Sequence, residues 1–189
     1  LGELIDSALN HQPLNLLYRT FAGNERTTTI HPYHIKQFNG RWFLLGLQEG
    51  SSGNYITNKA LDRIVKFSSA HVPFIPNTDI DFNEYFKDVV GVTLPEDHPI
   101  PEEVLLRFEE SRFPYVVNKP IHPSQETANE QEHIIRLTVR PNKELEARIF
   151  SYGNQVEVLK PEWLRRQIAE KLQGILKKYF SVQEDCNIE

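Results

Sequence analysis

The dipeptide Asn39-Gly40 and the run behind it, Arg41-Trp42-Phe43-Leu44-Leu45-Gly46, constrain this chain more than any other feature. Asn-Gly suits the left-handed backbone of a two-residue hairpin turn and is the strongest such signal in the sequence. The run alternates, so Trp42 and Leu44 face one way while Phe43 and Leu45 face the other. Apolar side chains on both faces describe a strand of a small barrel. Neighbouring segments agree. Leu14, Leu16 and Tyr18 alternate, Ala22-Gly23-Asn24-Glu25 reads as a hairpin loop, and Thr27-Thr28-Thr29-Ile30 returns from it. His31-Pro32-Tyr33-His34-Ile35 leads on to Phe38. A polar loop at Gly50-Ser51-Ser52-Gly53 precedes Tyr55-Ile56, and Ile64-Val65-Lys66-Phe67 is a further strand with Arg63 at its edge. Ahead of these, Leu1, Leu4, Ile5, Ala8 and Leu9 recur at helical spacing, with Asn10 as the stop. Residues 1–75 therefore predict a helix followed by a compact β-barrel.

The composition shifts after that. Pro73, Pro76, Pro95, Pro99 and Pro101 punctuate a connector, and residues 76–110 carry a net charge of −8, against +2 for 1–75 and +1 for 111–189. We read 76–100 as an acidic linker holding one short amphipathic helix over Phe82, Tyr85, Phe86 and Val89 or Val90. Residues 101–181 alternate strand and helix. Val104–Phe108 reads as a strand, Ser111 as the cap of a helix over Arg112–Val117, and Ile134–Val139 as a strand. Asn142 caps a helix over Lys143–Ser151 that stops at Gly153. Gln155–Leu159 is a strand, and Pro161 opens a long helix with Leu164, Ile168, Leu172, Ile175 and Tyr179 on one face. A ferredoxin-like βαββαβ sandwich with a terminal helix is the natural assembly, one strand near Lys119–Glu126 being unplaced. Residues 182–189 form a polar tail. The fold class is α+β.

No run approaches the roughly 18 apolar residues of a membrane span, and no signal peptide is visible. The single cysteine, Cys186, cannot form an intrachain disulfide, and a cytoplasmic chain is expected. Methionine is absent even at position 1, so the sequence reads as part of a longer protein. The net charge of −5 does not exclude an anionic ligand, because screening beyond about 8 Å lets a local basic patch act alone.

Enzymatic chemistry has little support. There is no glycine-rich phosphate loop, His-Glu-x-x-His pair, paired-cysteine metal site or nucleophile elbow. His31 and His34 lack a third ligand at matching spacing, so neither a metal nor a cofactor is expected. Ser151-Tyr152-Gly153 reads as a helix terminus. Trp42 reads first as a core anchor, with stacking on a heterocyclic ligand as the other possibility. Tyr18, Tyr33 and Tyr55 suit partial exposure better. Arg63 divides nearly evenly between a ligand contact and an ion pair with Asp62 or a C-terminal carboxylate.

Arg41-Trp42-Phe43-Leu44-Leu45-Gly46 followed by Ala60-Leu61-Asp62-Arg63-Ile64 resembles the WYL domain, whose Trp-Tyr-Leu triplet appears here as Trp42-Phe43-Leu44. The second half resembles the WCX extension that commonly follows it. The matching residues are Pro120-Ile121-His122-Pro123-Ser124-Gln125, Asn142-Lys143-Glu144-Leu145, Ser151-Tyr152-Gly153, Val156-Glu157-Val158 and Pro161-Glu162-Trp163-Leu164. The resemblance implies a Sm- or SH3-like barrel serving as the sensing part of a bacterial transcriptional regulator, and dimerisation through the second domain. It also implies a helix-turn-helix DNA-binding domain ahead of the barrel, which these residues do not contain.

The same resemblance places a nucleic acid or small anionic effector on basic residues of the barrel. The expected ligand set is Arg41, Lys59 and Arg63, then Tyr33 and Trp42, with Arg26 and His31 beside them. Thr57 and Ala60 stand where many relatives carry arginine, which implies fewer phosphate contacts. A stand-alone single-stranded nucleic-acid-binding module is the alternative reading.

Overall fold

The structure is a computed structural model, and it describes residues 2–50 and 53–180. The chain divides into two compact units, the first ending at Tyr85 and the second starting at Phe86.

Unit 1 opens with helix α1 (Gly2–Leu9) and continues through β1 (Leu14–Arg19), β2 (Glu25–Phe38), β3 (Arg41–Gln48), β4 (Tyr55–Ala60) and β5 (Ile64–Ser69). A 3-10 turn over Leu61–Arg63 joins β4 to β5. The strands make one antiparallel sheet in the order β4-β3-β2-β1-β5. Pairing stops at β4 and β5, so the expected closed barrel is an open five-stranded sheet among the described residues. Asn39 and Gly40 both take positive φ, 48° and 74°, as the hairpin turn requires.

The segment around Pro32 is part of one 14-residue strand, not a connection between two. A proline donates no ladder hydrogen bond, and the register slips between Pro32 and His34 to absorb it. Opposite Pro32 stands Gly46. A Cβ on Gly46 would lie 2.1 Å from the His31 carbonyl oxygen, so the strand crossing admits only glycine. Alternation then sorts the side chains: Leu14, Leu16, Ile30 and Leu44 join Leu4 of α1 in a buried cluster, with Ile35, Leu61, Ile64 and Phe67 packed against it.

The stretch read as a linker divides between the units. Helix α2 covers only Phe82–Tyr85. Beyond it, Phe86, Val89, Val90 and Val92 are buried. Their backbone is tied into unit 2: Arg140 N–H donates to Asp88 O, and the Asn142 amide donates to the carbonyls of Val90 and Thr93. The acidic side chains face water while the valines between them enter the core, which a net charge cannot reveal.

Unit 2 runs β6 (Glu102–Phe108), α3 (Phe113–Asn118), β7 (Glu126–Asn129), β8 (Ile134–Val139), α4 (Lys143–Phe150), β9 (Val156–Lys160) and α5 (Glu162–Phe180). Its antiparallel sheet has the order β7-β8-β6-β9, the pairing that a split βαββαβ unit requires. The unplaced strand is β7. Helix α3 starts on Arg112 instead of Ser111, with Pro114 in its first turn and no side-chain cap. Asn142 caps α4 as read, its side chain accepting from Leu145 N–H at 2.9 Å.

Candidate anion-binding site

Tyr18, near the end of β1, organises the basic residues of unit 1. The Lys59 ammonium lies 4.9 Å and the Arg63 guanidinium 5.0 Å from the centre of its ring. Arg26 is its direct partner across the β1–β2 ladder. The Tyr18 hydroxyl accepts from Ala60 N–H at 3.3 Å, tying the ring to the end of β4. Arg63 also covers Phe21 at 3.6 Å, and its Nε donates to the Arg19 carbonyl at 2.9 Å. Phe21 is 86% exposed. The guanidinium plane is thus held between an aromatic platform and the backbone.

Lys59 and Arg63 have no ion-pair partner among the described residues. Burial, and secondarily the positive Arg63, hold the Lys59 ammonium below its ordinary pKa. Two cations beside one ring with no carboxylate between them relax on meeting an anion. Arginine supplies a planar fork and lysine a compact charge, a combination suited to phosphate.

The remaining predicted residues make other contacts. Arg41 pairs with Asp62 at 2.9 Å, so Asp62 answers Arg41 and not Arg63. Trp42 is half-buried and lines a groove of about 730 Å³ with Leu4, Leu61, Ile64 and Phe67, a wall position instead of a full core anchor. Tyr33 donates from its hydroxyl to Ile75 O at 2.8 Å and meets Phe74 edge-on. Burial raises its pKa. His31 is completely buried, its Nδ1 accepting from Ile75 N–H and its Nε2 bonded to Glu49. Both ring nitrogens are spent on the fold, which removes His31 from any set of accessible ligand contacts. Phe21 was not singled out from sequence; its only signal is an isolated aromatic directly before the Ala22-Gly23-Asn24 turn.

Comparison with protein-family models matches the WYL domain over residues 1–67 and the WCX domain over residues 100–176. The chain carries a WYL domain followed by a WCX domain. Its WYL match falls within unit 1 and its WCX match within unit 2. Among solved structures, the chain is similar to proteasome accessory factor B/C (PafBC) of Arthrobacter aurescens, at 21% identity and a TM-score of 0.40 over 91% of this chain. It is also similar to a CRISPR Cas-related protein, at 12% identity and a TM-score of 0.52 over 97% of this chain. The WYL–WCX chain spans 26% of the length of the first and 52% of the second. Comparison with curated proteins finds no match. No group of three His, Cys, Asp or Glu side chains among the described residues is placed to hold a metal ion. No helix among them is long and apolar enough to cross a membrane.

Proposed function

We propose that the WYL unit is the effector-sensing part of a bacterial transcriptional regulator, and that it binds a nucleic-acid strand or a small anionic molecule at the patch centred on Tyr18. One observation carries this reading: Lys59 and Arg63 converge on the Tyr18 ring with no carboxylate partner. Arg26 extends the positive patch across the sheet, and Arg41 joins it once released from Asp62. The exposed Phe21 beneath Arg63 offers a face for a base, so a strand is the ligand that uses every part of the patch. The same feature favours the second reading, a stand-alone single-stranded nucleic-acid-binding module.

The unit binds and does not catalyse in this reading. A separate helix-turn-helix domain would contact DNA, and the effector acts by preferring one of two conformations of the regulator. The WCX unit supports a cytoplasmic homodimer, whose two-fold axis suits paired half-sites.

Fluorescence anisotropy of short single-stranded DNA and RNA across a salt series tests the assignment, with Arg63→Glu as control. Salt-sensitive binding that Arg63→Glu abolishes places a nucleic-acid effector on the patch. Binding that survives the charge reversal sinks the site. Anionic metabolites competing where strands do not would mark a small-molecule sensor.

A further inference from the structure

The WCX unit carries a second concentration of unanswered positive charge, on α3 and α4. Arg112, Tyr115 and Lys119 fall at helical spacing on one face. The Arg112 guanidinium lies 5.2 Å and the Lys119 ammonium 6.0 Å from the Tyr115 ring centre. On α4 the Arg148 guanidinium lies 5.0 Å from the ring of Tyr152, which follows it by one turn. The two halves adjoin through Gln155, whose side-chain oxygen accepts from Arg112 Nε at 2.8 Å and whose N–H donates to the Tyr152 carbonyl at 3.1 Å.

Arg112, Lys119 and Arg148 make no ion pair among the described residues. Elsewhere in the unit Arg107, Arg136, Lys160 and Arg165 each have a glutamate partner. The acids nearest Arg112 in sequence, Glu109 and Glu110, line the adjoining groove with Arg107, His133 and Gln155, and those nearest Arg148, Glu144 and Glu146, accept from Thr93 and from Gln167 and Lys171. Gln155 accepts from Arg112 Nε at 2.8 Å, which orients the guanidinium fork. Tyr115 is 44% exposed, and the Tyr152 hydroxyl is buried beside the Arg148 guanidinium.

We propose that this face of the WCX unit is a phosphate site for a nucleotide, with Arg112, Lys119 and Arg148 on the phosphate and Tyr115 stacked on the base. Guanidinium forks and an ammonium satisfy phosphate oxygens by charge-assisted hydrogen bonds. An exposed phenol ring accepts the flat face of any base. A free nucleotide and one residue of a single strand present the same chemistry. Unit 2 keeps this site whatever the WYL patch binds, since no residue of unit 1 takes part.

The test is a series of ¹H–¹⁵N NMR titrations of the full chain with AMP, adenosine, inorganic phosphate and a single-stranded tetranucleotide. AMP is expected to shift the amides of Tyr115, Lys119, Arg148 and Tyr152 in a saturable way, with phosphate weaker and adenosine weaker still. Comparable saturation by AMP and the tetranucleotide identifies a free nucleotide as sufficient, whereas response to the tetranucleotide alone identifies a strand. Arg148→Gln should weaken binding roughly tenfold, and Lys119→Gln, on an exposed side chain, does the same should Arg148→Gln fail to fold. Arg63→Glu should leave these shifts unchanged. Shifts confined to unit 1, or an affinity indifferent to both glutamine substitutions, would overturn the proposal.

Discussion

One terminal nitrogen of Arg41 donates to both carboxylate oxygens of Asp62, each at 2.9 Å. That contact decides which arginine of the WYL patch is free, because it neutralises Arg41 and leaves Arg63 without a carboxylate. The hydrogen bond from Arg41 holds the Asp62 carboxyl below its ordinary pKa. A carboxyl with a lowered folded-state pKa adds stability at neutral pH and loses it as the pH falls through that pKa. The pair is exposed on both sides, so the contribution is at most about 1 kcal/mol. Asp62→Asn should therefore be slightly less stable than the wild type at neutral pH, the difference closing in acid, as denaturant titrations at the two pH values would show. It should also bind single strands more tightly and with a steeper salt dependence, since Arg41 is released. Weaker binding would mean that Asp62 itself positions the ligand.

Lys59 offers a pH signature. Its ammonium is held below the ordinary lysine range by burial and by Arg63, and a bound phosphate raises it again. Affinity should fall as the pH rises, beginning at a more acidic point than an unperturbed lysine would give. Lys59→Arg should remove that fall while keeping the binding. Lys59→Gln should lower affinity where Lys59 is charged, the difference closing as the pH rises, and reduce the salt slope there by about 0.7, the value for one phosphate contact on a single strand. Anisotropy measured over a pH series distinguishes the variants.

His31 is expected to behave as a structural residue. Its Nδ1 accepts the Ile75 N–H at 3.1 Å, so the neutral ring carries its proton on Nε2, toward Glu49. His31→Leu strands the Ile75 amide and should cost about 2–3 kcal/mol in urea unfolding. Single-strand affinity of the folded variant should be unchanged. Preserved stability with lost binding would return His31 to the ligand set.

The WCX unit turns on Asn142, whose side chain caps α4 and also donates to Val90 O and Thr93 O at 2.9 and 2.8 Å. Asn142→Ala removes three hydrogen bonds from a buried position. A loss of about 2–4 kcal/mol is expected, more than the typical cap alone, with hydrogen exchange rising first around residues 88–93. A loss confined to about 1 kcal/mol would mean that the segment is held by its valines and not by the cap.

What was legible in the sequence depended on chemistry that acts over a few residues. Asn39-Gly40 specifies its turn, Asn142 its cap, and the alternation of β3 its two faces, since each signal and its effect are neighbours in the chain. His122–Gln125 is likewise a local turn, held by His122 on Ser124 and by Gln125 on Ile121. The patch was legible as a collection of cations but not as an arrangement. Asp62 lies 21 residues from Arg41 and beside Arg63, so adjacency suggested the wrong partner. The same limit hid His31, whose amide donor is 44 residues away. Sheet closure is also set at long range, between β4 and β5, and local alternation cannot distinguish a barrel from an open sheet.

Helix α5 outruns the core that its first half packs against. Leu164 and Ile168 are buried, but Leu172, Ile175, Leu176, Tyr179 and Phe180 follow at amphipathic spacing and are 41–77% exposed. Burying such a stripe removes apolar surface from water at about 25 cal/mol per Å², and a second copy of the same helix presents a matching stripe about a two-fold axis. The homodimer proposed above therefore predicts that Leu176→Glu converts dimer to monomer in light scattering, because a carboxylate cannot enter a desolvated seam unpaired. Leu176 is 56% exposed, so the monomer should keep its fold by circular dichroism. The melting temperature of the wild type should rise with concentration and that of Leu176→Glu should not. A wild-type chain that stays monomeric at high concentration would assign the stripe to a different occupant and leave the dimer without an interface.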